Sequence, residues 1–209
     1  MGAFVVTGTG SGIGKTAFSA ALAGALGAHY WKPVQAGLVG GAEATDSETV
    51  ARLANLPAAQ IVPETYRLAA RLPAEGTTTA LAEDIDIDRL ILPTRRPLVI
   101  EGTGSALQPL ARGVVFADVL AEWGLLTVLV APTAPGSFDH SLLMIDALHS
   151  RRVPLHGVAF VGAANEALEA SLTERGEVRR LGRLPDLGEL SPAALAEAFA
   201  TGFDIDDFA

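Results

Sequence analysis

The 209-residue chain contains no cysteine. That absence excludes disulfides, thiolate nucleophiles and cysteine-ligated metals, and it fits a cytoplasmic setting. Long apolar runs are missing as well: no uncharged apolar stretch reaches the roughly eighteen residues that span a bilayer, so no membrane partner is expected. Positive charge is scarce. Fifteen Lys and Arg against 24 Asp and Glu leave a formal net charge of −9, which argues against a nucleic-acid partner that would need a basic stripe. His29, His140, His149 and His156 are scattered without ligand spacing, which favours structural or exposed roles. Gly-x-Ser-x-Gly is absent, so no serine-hydrolase elbow is present. The first apolar run begins at Ala3, leaving no room for a signal peptide before it.

What the chain has is apolar substance and a glycine-rich motif. Hydrophobic residues make up 49% of it, enough for one buried core, and the length favours a single domain over 1–209. After the apolar run Ala3-Phe4-Val5-Val6 comes Thr7-Gly8-Thr9-Gly10-Ser11-Gly12-Ile13-Gly14-Lys15-Thr16, and then a helical pattern. Strand, glycine-rich loop and Gly-Lys-Thr at a helix start are the parts of a phosphate-binding P-loop. Backbone N–H groups of Gly10, Ser11, Gly12, Ile13 and Gly14 can curl around phosphate oxygens, reinforced by the helix dipole. Lys15 can reach the β- and γ-phosphates, and the Thr16 hydroxyl can ligate Mg²⁺. Five residues separate Gly8 from Gly14, one more than in the strict motif. A dinucleotide fingerprint fails, because it needs glycine at Ile13 or at Lys15.

Strand and helix patterns alternate along the chain. Apolar runs fall at 3–7, 29–34, 98–101, 127–131, 157–161 and 178–184; helical periodicity falls at 14–26, 46–53, 116–123, 138–149, 166–175 and 192–199. Several of the strand runs are continuously apolar, as in strands buried on both faces. The fold class expected is α/β, a doubly wound, mostly parallel sheet with flanking helices. Segment 67–94 is expected to be the least ordered, and the tail 204–209 to fray.

Ligands of such sheets sit beyond the carboxyl ends of the strands. Lys32 ends the second run, in Trp31-Lys32-Pro33-Val34-Gln35-Ala36-Gly37, and would point toward the P-loop mouth. In Thr45-Asp46-Ser47-Glu48, Thr45 or Asp46 suits a helix N-cap, Glu48 suits the first turn, and Asp46 is a candidate Mg²⁺ ligand with Glu48 in reserve. Glu101, before Gly102, ends the apolar Leu98-Val99-Ile100, where an unpaired carboxylate is costly. Thr16, Asp46 and Glu101 together are the candidate metal site. Trp31, Trp123 and Phe138 suit core or interface anchoring.

Taken in order, these segments resemble the dethiobiotin synthetase family. The resemblance rests on Gly8-Thr9-x-x-x-x-Gly14-Lys15-Thr16, Lys32-Pro33-Val34-Gln35-x-Gly37, Asp46 and Glu101-Gly102-x-Gly104. It continues through Gly136-Ser137-Phe138-Asp139-His140 and Gly182-Arg183-Leu184-Pro185. It implies an ATP-consuming cyclo-ligase of biotin synthesis that joins CO₂ to 7,8-diaminononanoate through a carbamate and a phosphorylated carbamate. It further implies catalysis by Lys15 and Lys32, nucleotide contacts extending to Glu101 and Gly102, and Mg²⁺ at Thr16, Asp46 and Glu101. The diamine would meet Lys32, Ala36, Gly136, Ser137 and Asp139, its carboxylate tail lying across a homodimer interface. Asp139 replaces the family's usual asparagine, Pro132 stands where a basic residue is common, and no Ser-Pro-His follows Tyr66. The strand ending Phe160-Val161-Gly162-Ala163 lacks an Asn-Asp pair for reading adenine, so base preference stays open. Related P-loop ATPases of the partitioning or metal-insertion type, and a nucleotide-binding relative without diamine turnover, are the other classes; the former usually carry a second lysine where Gly10, Ser11 and Gly12 stand.

Overall fold

A computed structural model of the chain describes residues 2–37, 44–68 and 85–209. Its frame is a seven-stranded sheet built from β1 (Ala3–Gly8), β2 (His29–Trp31), β4 (Ile61–Val62), β6 (Leu98–Glu101), β9 (Leu126–Pro132), β10 (Leu155–Val161) and β11 (Arg180–Leu184). The spatial order is β11-β10-β9-β1-β6-β2-β4, and every neighbouring pair is parallel. Small two-stranded pairings of β3 (Val34–Ala36) with β5 (Tyr66–Leu68) and of β7 (Pro109–Ala111) with β8 (Val114–Val115) lie outside it.

Among the described residues, six α-helices cover the two faces: α1 (Lys15–Leu26), α2 (Asp46–Leu53), α3 (Phe116–Trp123), α4 (Ser137–Ser150), α5 (Glu166–Arg175) and α6 (Pro192–Gly202). Apolar residues of α1, α2 and α6 pack with Phe4, Val6, Tyr30, Val99 and Val128 on one face. Those of α3, α4 and α5 pack with Val5, Trp31, Ile100 and Leu129 on the other. Consecutive strand residues thus go to opposite layers, the period-two rule that makes a doubly covered sheet read as continuously apolar. The doubly wound α/β expectation holds.

Two differences from the sequence reading, at the run 29–34 and in the tail, have physical causes. The run 29–34 is two strands: Pro33 has no N–H for the ladder, so β2 stops before Lys32 and β3 pairs with β5. The segment 67–94, expected to be the least ordered, falls largely outside the described residues, at 69–84; in its described part Ile85 and Leu90 are buried and the Trp123 Nε1–H donates to the Leu90 carbonyl at 3.2 Å. The tail does not fray. Phe208 is fully buried among Phe4, Phe18, Phe199 and His156, and the His156 ring nitrogen Nε2 is 2.7 Å from the Asp207 carbonyl oxygen. Phe208→Ala is therefore expected to cost about 3–5 kcal/mol of unfolding free energy, the range for emptying a buried phenylalanine site, measurable by urea denaturation.

Candidate functional site

Five polar side chains meet at the carboxyl edge of the sheet, where β1, β6 and β2 lie side by side. The β1–β6 register sets Val6 against Glu101, so the P-loop leaves the sheet directly beside the carboxylate. The Gly102 N–H donates to the Val6 carbonyl at 2.9 Å and the Ala106 N–H to the Gly8 carbonyl at 3.0 Å, tying the two loops together. Gly14 sits at φ 97°, and a Cβ there would come 2.9 Å from Val161. That backbone, open to glycine but strained for other residues, starts α1 without a side-chain cap. No acid occupies the first turn of α1, so its free N–H groups and dipole favour an anion.

Lys15 is buried and its Nζ donates to the Gly10 carbonyl at 2.5 Å, across the loop. Burial pulls its pKa down to about 8, against the opposing attraction of Glu101 and Asp46 and with repulsion from Lys32 added. Thr16 presents its hydroxyl oxygen 2.8 Å from Glu101 Oε1 and 3.3 Å from Asp46 Oδ1. Lys32, 3% exposed, places Nζ 2.7 Å from Asp46 Oδ2 and 3.0 Å from Glu101 Oε1. Burial works against its charge, but the two carboxylates and their hydrogen bonds outweigh it and raise its pKa. Lys32 thus stays an ammonium throughout the neutral range.

Local sequence explains how Asp46 is presented. Thr45 is the N-cap of α2: its hydroxyl accepts the Glu48 N–H at 3.1 Å, and the Glu48 carboxylate accepts the Thr45 N–H at 2.8 Å. This capping box uses Glu48 for structure, holding its pKa below the usual carboxylate value through the Thr45 backbone hydrogen bond, and leaves the Asp46 side chain free to face Lys32. The Asp46 N–H is received by Gln35 Oε1 at 3.0 Å. Sequence reasoning passed over Gln35, and also Tyr30, whose hydroxyl donates to Glu101 Oε2 at 2.9 Å. Tyr30 is the middle residue of β2 and Lys32 follows the strand's end, and both reach Glu101.

Other candidates stand apart from this cluster. Ala36 ends β3, partly exposed. At the start of α4 the N-cap is Gly136, at φ 83°, with Ser137 the first helical residue. The Ser137 hydroxyl donates to the Pro132 carbonyl at 2.7 Å and its N–H to the Ala134 carbonyl at 3.2 Å, which leaves the N–H groups of Phe138 and Asp139 for an anion. Asp139 and His140 are exposed. After β10, Asn165 caps α5 by accepting the Leu168 N–H, and Arg183 donates to the Gly162 carbonyl at 3.3 Å. Among the described residues no helix is long and apolar enough to cross a membrane.

The oxygen set of Thr16, Asp46 and Glu101 already faces a cation, the Lys32 ammonium, and its hard donors suit Mg²⁺ or a similar ion. With a P-loop beside it, the cluster has the parts for nucleotide phosphoryl chemistry.

Comparisons with known proteins agree with this geometry. The AAA domain family matches residues 2–194. The chain is 56% identical to the ATP-dependent dethiobiotin synthetase BioD of Novosphingobium aromaticivorans, covering 100% of both chains. It is 50% identical to the protein of that name from Nitrobacter hamburgensis, covering 98% of this chain and 95% of the other. Among solved structures it is similar to a ParA family ATPase from Chlorobium tepidum TLS, with TM-score 0.54, 15% identity and coverage of 99% and 92%. It is likewise similar to the MinC:MinD cell division protein complex of Aquifex aeolicus, with TM-score 0.52, 14% identity and coverage of 95% and 86%. At such identities the last two speak for the fold alone. Full-length identity of half or more, together with the P-loop and the Lys32 segment, leads to one assignment: the chain belongs to the ATP-dependent dethiobiotin synthetase family.

Proposed function

We propose that the chain carries out the ring closure of its family, making dethiobiotin from 7,8-diaminononanoate, CO₂ and ATP in the cytoplasm. The observation that carries the reading is the convergence of Lys15, Thr16, Lys32, Asp46 and Glu101 on one sheet edge beside the P-loop. In the first step one substrate amine attacks CO₂ and loses a proton, giving a carbamate. A carbamate oxygen then attacks the γ-phosphorus and ADP leaves. Finally the second amine attacks the carbamoyl carbon, phosphate leaves, and the ureido ring closes.

The roles of the residues follow from charge. Two lysines and two carboxylates cancel formally, so the cluster alone does not offset a polyphosphate. Thr16, Asp46 and Glu101 would hold Mg²⁺, which when bound offsets charge on the β- and γ-phosphates. Lys15 would follow the γ-phosphoryl group, and Lys32 would face the carbamate oxygen as it gains and sheds phosphate. Gly10 to Gly14, Gly102 and the start of α1 would seat the nucleotide. Release of ADP by the purified protein, coupled to a spectrophotometric assay, tests the reading: turnover should require the diamine and bicarbonate together. ADP release indifferent to both would overturn it.

The tail of the diamine is assigned to the start of α4 in a homodimer, with the Phe138 and Asp139 N–H groups of one subunit receiving the carboxylate of a substrate bound mainly by the other. Asp139 opposes that anion. A like-charge contact near 4 Å costs about 1 kcal/mol in water, so Asp139→Asn should lower the Michaelis constant for the diamine about fivefold and leave that for ATP unchanged. An unaltered diamine constant would place Asp139 away from the tail.

A further inference from the structure

Glu101 is held from both sides, and the two oxygens of its carboxylate are not equivalent. Oε1 lies 2.8 Å from the Thr16 hydroxyl and 3.0 Å from Lys32 Nζ, on the side of the P-loop. Oε2 accepts the phenol of Tyr30 at 2.9 Å. Tyr30 and Lys32 are two residues apart on the chain, and each takes one oxygen of the same carboxylate. Tyr30 is fully buried and Glu101 is 1% exposed, so water does not compete for this bond. Tyr30 belongs to the buried apolar layer that includes Phe18 of α1, and it stands beside Val99 in the β2–β6 register.

A carboxylate at a strand end rotates about its last bond unless something stops it. With Oε2 tied, rotation breaks a charge-assisted hydrogen bond in a place where no water replaces it. The consequence is directional: Glu101 presents one oxygen, Oε1, to Thr16 and whatever cation joins it, and cannot swing to offer both.

We propose that Tyr30 is a positioning residue for ring closure, acting through Glu101 to fix the single carboxylate oxygen that faces the Mg²⁺–nucleotide. The proposal rests on the synthetase reading and on the metal assignment to Thr16, Asp46 and Glu101. It goes beyond them in giving a core tyrosine a part in metal affinity. A tyrosine that only fills space would be replaced by phenylalanine without effect on metal binding, because ring and volume are kept.

Tyr30→Phe is the first test. Binding of Mn²⁺, a paramagnetic substitute for Mg²⁺, is followed by electron paramagnetic resonance with a non-hydrolysable ATP analogue present. We expect about tenfold weaker Mn²⁺ binding, the order found when a partner orienting a ligating carboxylate is lost. In steady state the Mg²⁺ concentration for half-maximal rate should rise by a similar factor, with the Michaelis constant for the diamine unchanged. Wild-type Mn²⁺ affinity in a folded Tyr30→Phe protein would overturn the proposal. The second test does not depend on that variant folding. With 3-fluorotyrosine placed at position 30, the ¹⁹F resonance should shift when Mg²⁺ is added to the protein–analogue complex, and a resonance blind to Mg²⁺ would overturn the proposal. Wild-type turnover of the diamine is measured alongside; its absence would count against the synthetase reading, while the two Tyr30 readouts judge the positioning role.

Discussion

Lys32→Ala is expected to lower dethiobiotin formation on the order of 10³-fold while leaving ATP binding within a few-fold of wild type. The factor is that for removing a preorganised positive charge from a phosphoryl-transfer site. Selectivity follows from position. Lys32 reaches Asp46 Oδ2, Glu101 Oε1 and, at 3.4 Å, the Gly102 carbonyl, all beyond the end of β2, while the P-loop charge comes from Lys15 on α1. The same substitution should weaken the fold. Lys32 and Glu101 are both almost fully buried, and breaking a buried pair by removing one partner typically costs about 3–5 kcal/mol, because it strands the other charge. Denaturation of the ligand-free variant should therefore begin at lower urea, with part of the loss recovered when Mg²⁺, bound with nucleotide, supplies another cation. A variant whose ATP affinity falls as far as its turnover would contradict the separation of roles.

Lys15→Ala should abolish ATP turnover, again by at least about 10³-fold, and here nucleotide affinity falls with it, since the β- and γ-phosphates lose their counter-ion. The pH dependence gives this prediction a second observable. Burial holds Lys15 near a pKa of about 8, below its ordinary value. The sign is that of a depressed lysine: the ammonium is present below about pH 8 and is lost as pH rises through it. Polyphosphate beside the group favours the charged form, so ATP binding between about pH 8 and 9 should draw a proton from solution. Calorimetry in buffers of different ionisation enthalpy measures that uptake. It should be present in the wild type and missing from Lys15→Ala; equal uptake in both would assign the proton to another group.

Much of this was written in local pattern. The P-loop, the continuously apolar strands and the capping residue Thr45 act over a few positions, so the corresponding elements are where periodicity places them. The cluster residues were legible because Lys32 and Glu101 are charges at the ends of apolar strands, where burial demands a partner. Thr16 and Glu101, 85 residues apart, were expected at one site from their helix-start and strand-end positions, and the β1–β6 register brings them together; the ion pairing of Lys32 with Asp46 and Glu101 was not legible, because it depends on β2 lying beside β6. Pro33 carried its own warning of a broken strand. Phe208 did not: a lone aromatic in an acidic tail gains its burial from Phe4, Phe18 and Phe199, none of them local to it except through the fold. At α4 the helix starts at Ser137, one residue before the periodic run 138–149, with the left-handed backbone at Gly136 as its cap and the Ser137 hydroxyl turned to Pro132.

If this site phosphorylates a carbamate and closes a ring on it, one oxygen atom must follow a fixed path. With ¹⁸O-labelled CO₂, diamine, Mg²⁺ and unlabelled ATP, the carbamate oxygen that attacks the γ-phosphorus stays with phosphate when the ring closes. One ¹⁸O per released phosphate, matched by one dethiobiotin and one ADP, is the predicted result. Phosphate free of ¹⁸O, with ADP formed at the same rate, would mean that water and not a carbamate receives the phosphoryl group, and the account would be wrong.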